Sequence, residues 1–298
     1  MTYVVTLAAG PGAPILTAEH LRRAARILPN PGEPRWLAPD IAADLPFAPL
    51  AEGFKPGLRA EIEALFAGER LDIAVQPTAF RRKRLLIADM DSTLIAQECI
   101  DELAAALGLG AHVAGITERA MRGEIDFEPA LRERVALLRG LHLGQIGDVF
   151  AQRITLTPGG RALAQTMRRH GAVTAVVSGG FTVFTERVAD ALGFESHFAN
   201  RLMVEDGKLT GGLEEPILGR EAKRHVLVSL AYAHGLSLAE TCAVGDGAND
   251  LAMIQAAGLG VAFRAKPAVA AAADARIEHG DLTTLLYFQG FSREEFAI

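Results

Sequence analysis

An α/β fold built on a parallel sheet is what this sequence predicts, and three observations predict it. Four short apolar runs, Leu85–Ala88, Ala172–Val177, Thr241–Val244 and Gly258–Phe263, have the length of buried strands. Stretches with helical spacing lie between the later runs: Arg161–His170, Val183–Leu192, Glu221–Ala233 and Asp250–Ala257. Glycine and alanine are abundant while aromatics make up only 6% of the chain, which suits α/β architecture better than a β-sandwich. Strands alternating with helices imply a Rossmann-like parallel sheet covered on both faces. In such sheets ligands bind beyond the carboxyl ends of the strands. The residues that follow each apolar run are therefore the ones to inspect.

Two segments break the alternation. Between Glu98 and about Arg153 no strand pattern is visible, and Cys99–Leu107, Ile116–Arg122 and Phe127–Leu138 read as helices of a small insert over the sheet edge. Between Asn200 and Gly212, Arg201–Glu205 and Lys208–Gly212 flank Asp206-Gly207, a hairpin signal. Residues 1–76 differ again. Tyr3–Ala9, Arg35–Leu37 and Leu71–Gln76 are strand candidates, and Leu21–Leu28 and Leu58–Phe66 helix candidates, of a separate α+β module. Residues 77–84 then form a linker carrying Arg81-Arg82-Lys83-Arg84, a basic run of the kind that usually lies solvated beside a strand. The remaining chain, 85–298, forms the main domain.

Composition narrows the function. With 298 residues, half of them hydrophobic, the chain has enough material for a large core or for two domains. A formal net charge of −6 offers no electrostatic footprint for nucleic acid. No basic leader precedes an apolar stretch at the N-terminus, and no apolar run approaches the ~20 residues that span a bilayer. The expectation is a soluble cytoplasmic protein with no membrane partner. Cys99 and Cys242 are far apart, sit beside apolar residues and form no metal-ligand pattern, so both read as reduced, semi-buried thiols.

The strand ends carry the chemistry. The first run ends in Asp89-Met90-Asp91-Ser92-Thr93. Two carboxylates so close raise each other's pKa unless a cation lies between them, and magnesium prefers such oxygens. The same pentapeptide also occurs as a turn or helix cap. The second run ends in Ser178-Gly179-Gly180, where a hydroxyl and bare backbone N–H groups can approach an anion, or simply turn the chain into a helix. The third ends in Gly245-Asp246-Gly247-Ala248-Asn249-Asp250, which suits a hard cation or caps the following helix. Lys223, on the helix before this third strand, would by itself read as a solvated lysine. Chance agreement of all these features at successive strand ends is improbable.

In that order, Asp89-x-Asp91-x-Thr93, Ser178, Lys223 and Gly245-Asp246-Gly247-x-Asn249-Asp250 resemble the four motifs of the haloacid dehalogenase superfamily of phosphatases. The insert, with Glu98 nine residues after Asp89 and Phe127-Glu128 leading into Leu131-Arg132-Glu133-Arg134-Val135, resembles that of its phosphoserine-phosphatase family. The resemblance covers roughly residues 85 to 290 and implies a HAD-type core with a helical cap at about 98–153. It implies Asp89 as nucleophile and Asp91 as general acid and base. It implies a Mg2+ ion held by Asp89, the Asp91 carbonyl and Asp246, with Asp250 and Thr93 in support. Ser178, Gly179, Lys223 and Asn249 would hold the phosphoryl group. Bacterial members often carry an N-terminal module resembling an amino-acid-binding ACT domain, to which residues 1–76 are a weak match.

Substrate choice falls to the insert. For O-phospho-L-serine, Arg134 can clamp the carboxylate with its planar fork and Glu98 can pair with the ammonium. Met121 and Phe127 would close an apolar lid that excludes water. The same four motifs would serve a phosphatase or phosphotransferase acting on phosphohomoserine or phosphothreonine. A non-catalytic sensor that keeps the fold would bind magnesium without turnover. Residues 1–76 are expected to mediate homodimerisation or to bind serine as a feedback ligand.

Overall fold

A computed structural model of the chain describes residues 2–12, 15–49, 57–121 and 124–297. The first 77 residues form an antiparallel sheet with two helices. The elements run β1 (Tyr3–Ala9), α1 (Ala18–Ala25), β2 (Arg35–Ala38), β3 (Ala42–Phe47), α2 (Leu58–Leu65) and β4 (Leu71–Pro77), with strand order β2-β3-β1-β4. This is a split βαβ arrangement. Strict alternation gives the sheet two buried faces. Tyr3, Val5, Leu7, Leu45 and Phe47 pack on the helices, while Ala8, Ala42 and Ala74 join the core of the main domain. β3 escaped the sequence reading because its alternation is masked by Asp44 and Pro46.

The main domain begins with β5 (Leu85–Ala88). Four cap helices follow: α3 (Cys99–Ala106), α4 (Gly110–Met121), α5 (Phe127–Ala136) and α6 (Leu143–Arg153). The last of these lies in the predicted insert but was not anticipated as a helix. The chain continues through α7 (Gly160–Arg169), β6 (Val173–Phe181), α8 (Thr182–Leu192), β7 (Ser196–Asn200), β8 (Leu202–Glu205), β9 (Lys208–Leu213), α9 (Arg220–Ala233) and β10 (Thr241–Gly245). It ends with α10 (Leu251–Ala256), β11 (Leu259–Phe263), α11 (Pro267–Ala272), β12 (Ala275–Ile277) and α12 (Thr284–Phe288).

Six of these strands form a parallel sheet in the order β12-β11-β10-β5-β6-β7. Both faces are covered, which is why the strands read as continuous apolar runs. Leu86 and Ala88 of β5 face one core cluster; Leu85 and Ile87 face the other. Each such buried leucine or isoleucine stabilises the fold by about 1.5–3 kcal/mol. The sequence leaves β5 on one side towards β6 and β7, then returns on the other to build β10, β11 and β12. The order therefore reverses at β5, and a crevice opens at the strand ends around it. β8 and β9 form the expected hairpin, with Asp206 and Gly207 both at positive φ (50° and 74°) in its turn.

The basic run is solvated only at Arg82 and Arg84, and all four of its residues are engaged. Arg81 clamps Asp44 at 2.7 and 2.6 Å and donates to the Phe288 carbonyl at 2.9 Å. Arg82 pairs with Glu295, and Arg84 with Glu240. Lys83 is buried and donates to the carbonyls of Ala239 and Gly258 at 2.7 and 3.1 Å. At the far edge of the small sheet, Asp72 accepts from the backbone N–H groups of Glu278, His279 and Gly280 at 2.7–3.1 Å. Both cysteines are buried and free. No helix among the described residues is long and apolar enough to cross a membrane.

Candidate active site

Three adjacent strands, β10, β5 and β6, deliver the expected residues to one place. After β5 the chain makes a single wide turn, closed by the Ile95 N–H on the Met90 carbonyl at 3.0 Å, with Ser92 at φ 56°. That turn puts Asp89 and Asp91 side by side at the strand end. Asp89 receives the Met90 N–H at 2.8 Å and the Lys223 ammonium at 2.6 Å, both on Oδ1. Asp91 accepts from the Cys99 N–H at 3.0 Å and the Ser178 hydroxyl at 3.3 Å. Ser178 in turn accepts from the Gly180 N–H at 2.9 Å. β6 runs on through Ser178-Gly179-Gly180 to Phe181, and its pairing with β7 shifts register between Val177 and Phe181. Gly180 is required here: a Cβ on it would stand 2.8 Å from the Asp91 carboxylate.

The turn after β10 is shaped by one carboxylate. Asp250 folds back so that its Oδ2 accepts from the Asp246 and Gly247 N–H groups at 3.1 and 3.0 Å. Its Oδ1 holds Lys223 at 2.6 Å. A Cβ at Gly245 would meet this carboxylate at 2.4 Å, and one at Gly247 would meet Asn249 Oδ1 at 2.2 Å. Gly245 is thus fixed by the close approach of Asp250, whereas at Gly247 only the end of the Asn249 side chain would have to move. Thr93 donates to Asp246 at 3.3 Å.

The electrostatics are unbalanced. Four carboxylates, of Asp89, Asp91, Asp246 and Asp250, face one buried ammonium, Lys223, with the exposed Lys266 acting on Asp246 from the rim. Burial, then the Asp250 charge, drives Asp89 well above the usual carboxylate range, with Lys223 opposing. Burial raises Asp91 against the Cys99 N–H, and burial with Asp250 pushes Asp246 up to about 6. Burial by itself would lower Lys223, but Asp89 and Asp250 outweigh it and raise the ammonium's pKa. Oxygens of Asp89, Asp246 and Asp250 lie within 4.8 Å of one another. Both oxygens of Asp250 are already engaged, whereas Asp89 and Asp246 each keep one without a hydrogen bond. A hard divalent cation fits this donor set, with Asp89 and Asp246 able to serve as ligands and Asp250 holding the backbone of the Asp246 turn.

Opposite this floor the cap encloses a cleft of about 360 Å³. Glu98, at the head of α3, accepts from the Ser92 hydroxyl at 2.8 Å; desolvation, then the Asp91 charge, pushes its carboxyl up to about 7. Arg134 on α5 donates through Nε to the Ala130 carbonyl at 3.2 Å, and no carboxylate of the described residues pairs with it. Its neighbours take each other's charges instead, Glu128 with Arg132 and Glu133 with Arg119. The Phe127 ring reaches across to Gly179, 3.6 Å from where a Cβ would stand. Met121 ends α4, but its side chain lies outside the described residues.

A family model for haloacid dehalogenase-like hydrolases matches residues 86–255, which is more than half of the chain. The chain belongs to that family. Its solved neighbours include a HAD-family hydrolase from Salmonella enterica serovar Typhi, 28% identical with a TM-score of 0.85 over 99% of both chains. A structure described as a phospho-aspartyl intermediate analogue of phosphoserine phosphatase is 43% identical, with a TM-score of 0.64 over 70% of this chain and 99% of its own. The phosphoserine phosphatase of Streptomyces coelicolor is 45% identical over 240 residues, 80% of this chain. The chain spans 58% of that relative's length.

Within this haloacid dehalogenase-like site, Asp89, Asp91, Glu98, Phe127, Arg134, Ser178, Gly179, Asp246 and Asn249 all line one cleft. Lys223 is buried beneath it, beside Asp250. Sequence reasoning missed Asp101, Thr117 and Lys266, which line the same cleft. Asp101 sits one helical turn after Glu98 and its charge acts on Arg134, a spacing that was readable. Lys266 follows β11 and donates its backbone N–H to the Asp246 carbonyl at 3.2 Å. Only the rule that strand ends carry ligands pointed there.

Proposed function

We propose that this chain is a magnesium-dependent phosphatase that hydrolyses O-phospho-L-serine to L-serine and phosphate through a phosphoaspartate at Asp89. The observation that carries the reading is the pairing of two surfaces. A floor of under-compensated carboxylates at two strand ends faces Arg134, which pairs with no carboxylate of the described residues, across a cleft sized for a small molecule. Relatives that are phosphoserine phosphatases support the same substrate.

In this reading Asp89 attacks phosphorus, and the bond to the serine oxygen breaks. Asp91, whose carboxyl is pushed above its ordinary range by burial, acts as the acid and gives a proton to the departing oxygen. In the second step a water attacks the phosphoaspartate, Asp91 takes its proton, and Asp89 is released. Lys223, the Ser178 hydroxyl, the Gly179 N–H and Asn249 hold the phosphoryl oxygens and offset charge in the transition state. A bound Mg2+, held by Asp89, the Asp91 carbonyl and Asp246, would supply the positive charge that lets one anion approach another. Arg134 clamps the substrate carboxylate and Glu98 takes the ammonium, whose charge returns the glutamate to its ionised form. Phe127 shields the reacting atoms from bulk water. Residues 85–298 act as the phosphatase core with its cap at about 98–153, and residues 1–76 as a separate module joined by 77–84.

Phosphate release from O-phospho-L-serine, O-phospho-L-threonine and p-nitrophenyl phosphate, with and without Mg2+, tests this. Phosphoserine is expected to be the preferred substrate, only with Mg2+, and Asp89→Asn to cut turnover by at least about 10³-fold. Turnover of the generic ester alone would sink the Glu98 and Arg134 roles. An inert wild type would sink the whole reading.

A further inference from the structure

Among the described residues, one buried side-chain polar atom has no hydrogen-bond partner: Oγ1 of Thr117. Buried hydroxyls are nearly always satisfied, because leaving one unpaired is costly. A threonine inside a helix has a ready partner, the carbonyl three or four residues back. Thr117 sits in the body of α4 and does not use it. It lines the same cleft as Glu98, Asp101 and Arg134. A polar atom kept unsatisfied at the wall of a binding cleft is one the ligand completes.

We propose that Thr117 is a further recognition residue, whose hydroxyl donates a hydrogen bond to the carboxylate of the amino-acid substrate. The inference rests on the reading above. The carboxylate is favoured over the ammonium by capacity. It offers about four lone-pair positions and the Arg134 fork takes two, while the ammonium is assigned to Glu98. Threonine in a helix has two accessible χ1 wells. A step from one to the other swings the hydroxyl by about 120° around Cα–Cβ, and in this proposal that rotation carries it to the ligand without movement of α4.

The test compares Thr117→Val, the isosteric variant lacking the hydroxyl, with Thr117→Ser. Steady-state kinetics on O-phospho-L-serine and p-nitrophenyl phosphate are read beside the Tm of each free protein. Thr117→Val is expected to raise KM for phosphoserine about tenfold more than KM for the generic ester, the size of one hydrogen bond to a charged group. Its Tm should equal or exceed that of wild type, since an orphaned hydroxyl has gone. Thr117→Ser should restore the phosphoserine KM. Equal losses on both substrates with a lower Tm would mean a packing role and overturn the proposal. So would an unchanged phosphoserine KM in Thr117→Val. A wild type inert on phosphoserine but active on the generic ester would instead bring down the substrate reading itself, and this proposal with it.

Discussion

Two places in this molecule bury charge, and they do so in opposite ways. At the junction between the small sheet and the main domain, Asp44 is clamped bidentately by Arg81, also accepts from the Thr6 hydroxyl at 2.9 Å, and has no further charge beside it except the more distant Arg35. Asp72 is met by three N–H groups. At the crevice around β5, four carboxylates share one buried lysine, and Asp89, Asp91 and Asp246 are all pushed up in pKa. Matched charge at the junction fixes one geometry. Unmatched charge in the crevice is held in place by surrounding structure and awaits a cation and a substrate.

The largest effect should come from breaking the matched site. Arg81→Ala leaves the buried Asp44 with only the Thr6 hydroxyl and the distant, exposed Arg35, and is expected to lower stability by about 3 kcal/mol in urea denaturation. Turnover per folded molecule should remain. A loss below about 1 kcal/mol would remove the contrast. Asp246→Asn should do the reverse. The metal-free variant should be as stable as wild type or more so, but should lose the Tm rise that Mg2+ gives wild type. In wild type that rise corresponds to about 2.7 kcal/mol at a hundredfold excess over Kd. An undiminished rise in the variant would exclude Asp246 as a ligand.

The smallest effect is a pH dependence of the metal-free protein. Asp246 and Glu98 have folded-state pKa values of about 6 and about 7, above their ordinary 3.8 and 4.5. The folded state therefore binds these protons more tightly than the unfolded state. The stability they contribute is present at low pH and is lost as pH rises through about 6 to 7. In chelator, denaturation midpoints should be higher near pH 5 than near pH 8, and saturating Mg2+ should flatten the difference. A midpoint rising with pH would contradict the crevice electrostatics.

Much of the main domain was legible because a buried parallel strand must be apolar on both faces. Leu85–Ala88 was read with its observed bounds, and Thr241–Val244 and Gly258–Phe263 to within one residue. Shorter or less apolar elements were not read. β7 carries Ser196, His197 and Asn200 at the sheet edge, and β12 has three residues with Arg276 in the middle. The helix α6 begins at a His142 cap and contains two glycines, which weaken its periodic signal.

The site was legible as residue types but not as partnerships. Local sequence determined that carboxylates follow β5 and β10, that a hydroxyl and glycines end the apolar part of β6, and that a lysine precedes β10. These are consequences of short-range pattern, because strand ends and turns are set by neighbouring residues. Only the tertiary structure decided that Asp250 engages Lys223 and the turn N–H groups, while Asp89 and Asp246 each keep an oxygen that no described residue hydrogen-bonds. It alone decided that Arg81 to Arg84 are bound and that, among the described residues, Arg134 meets no carboxylate and the Thr117 hydroxyl no partner. Charge compensation depends on distances between residues far apart in the chain, and burial changes its sign and size, so no local pattern can carry it.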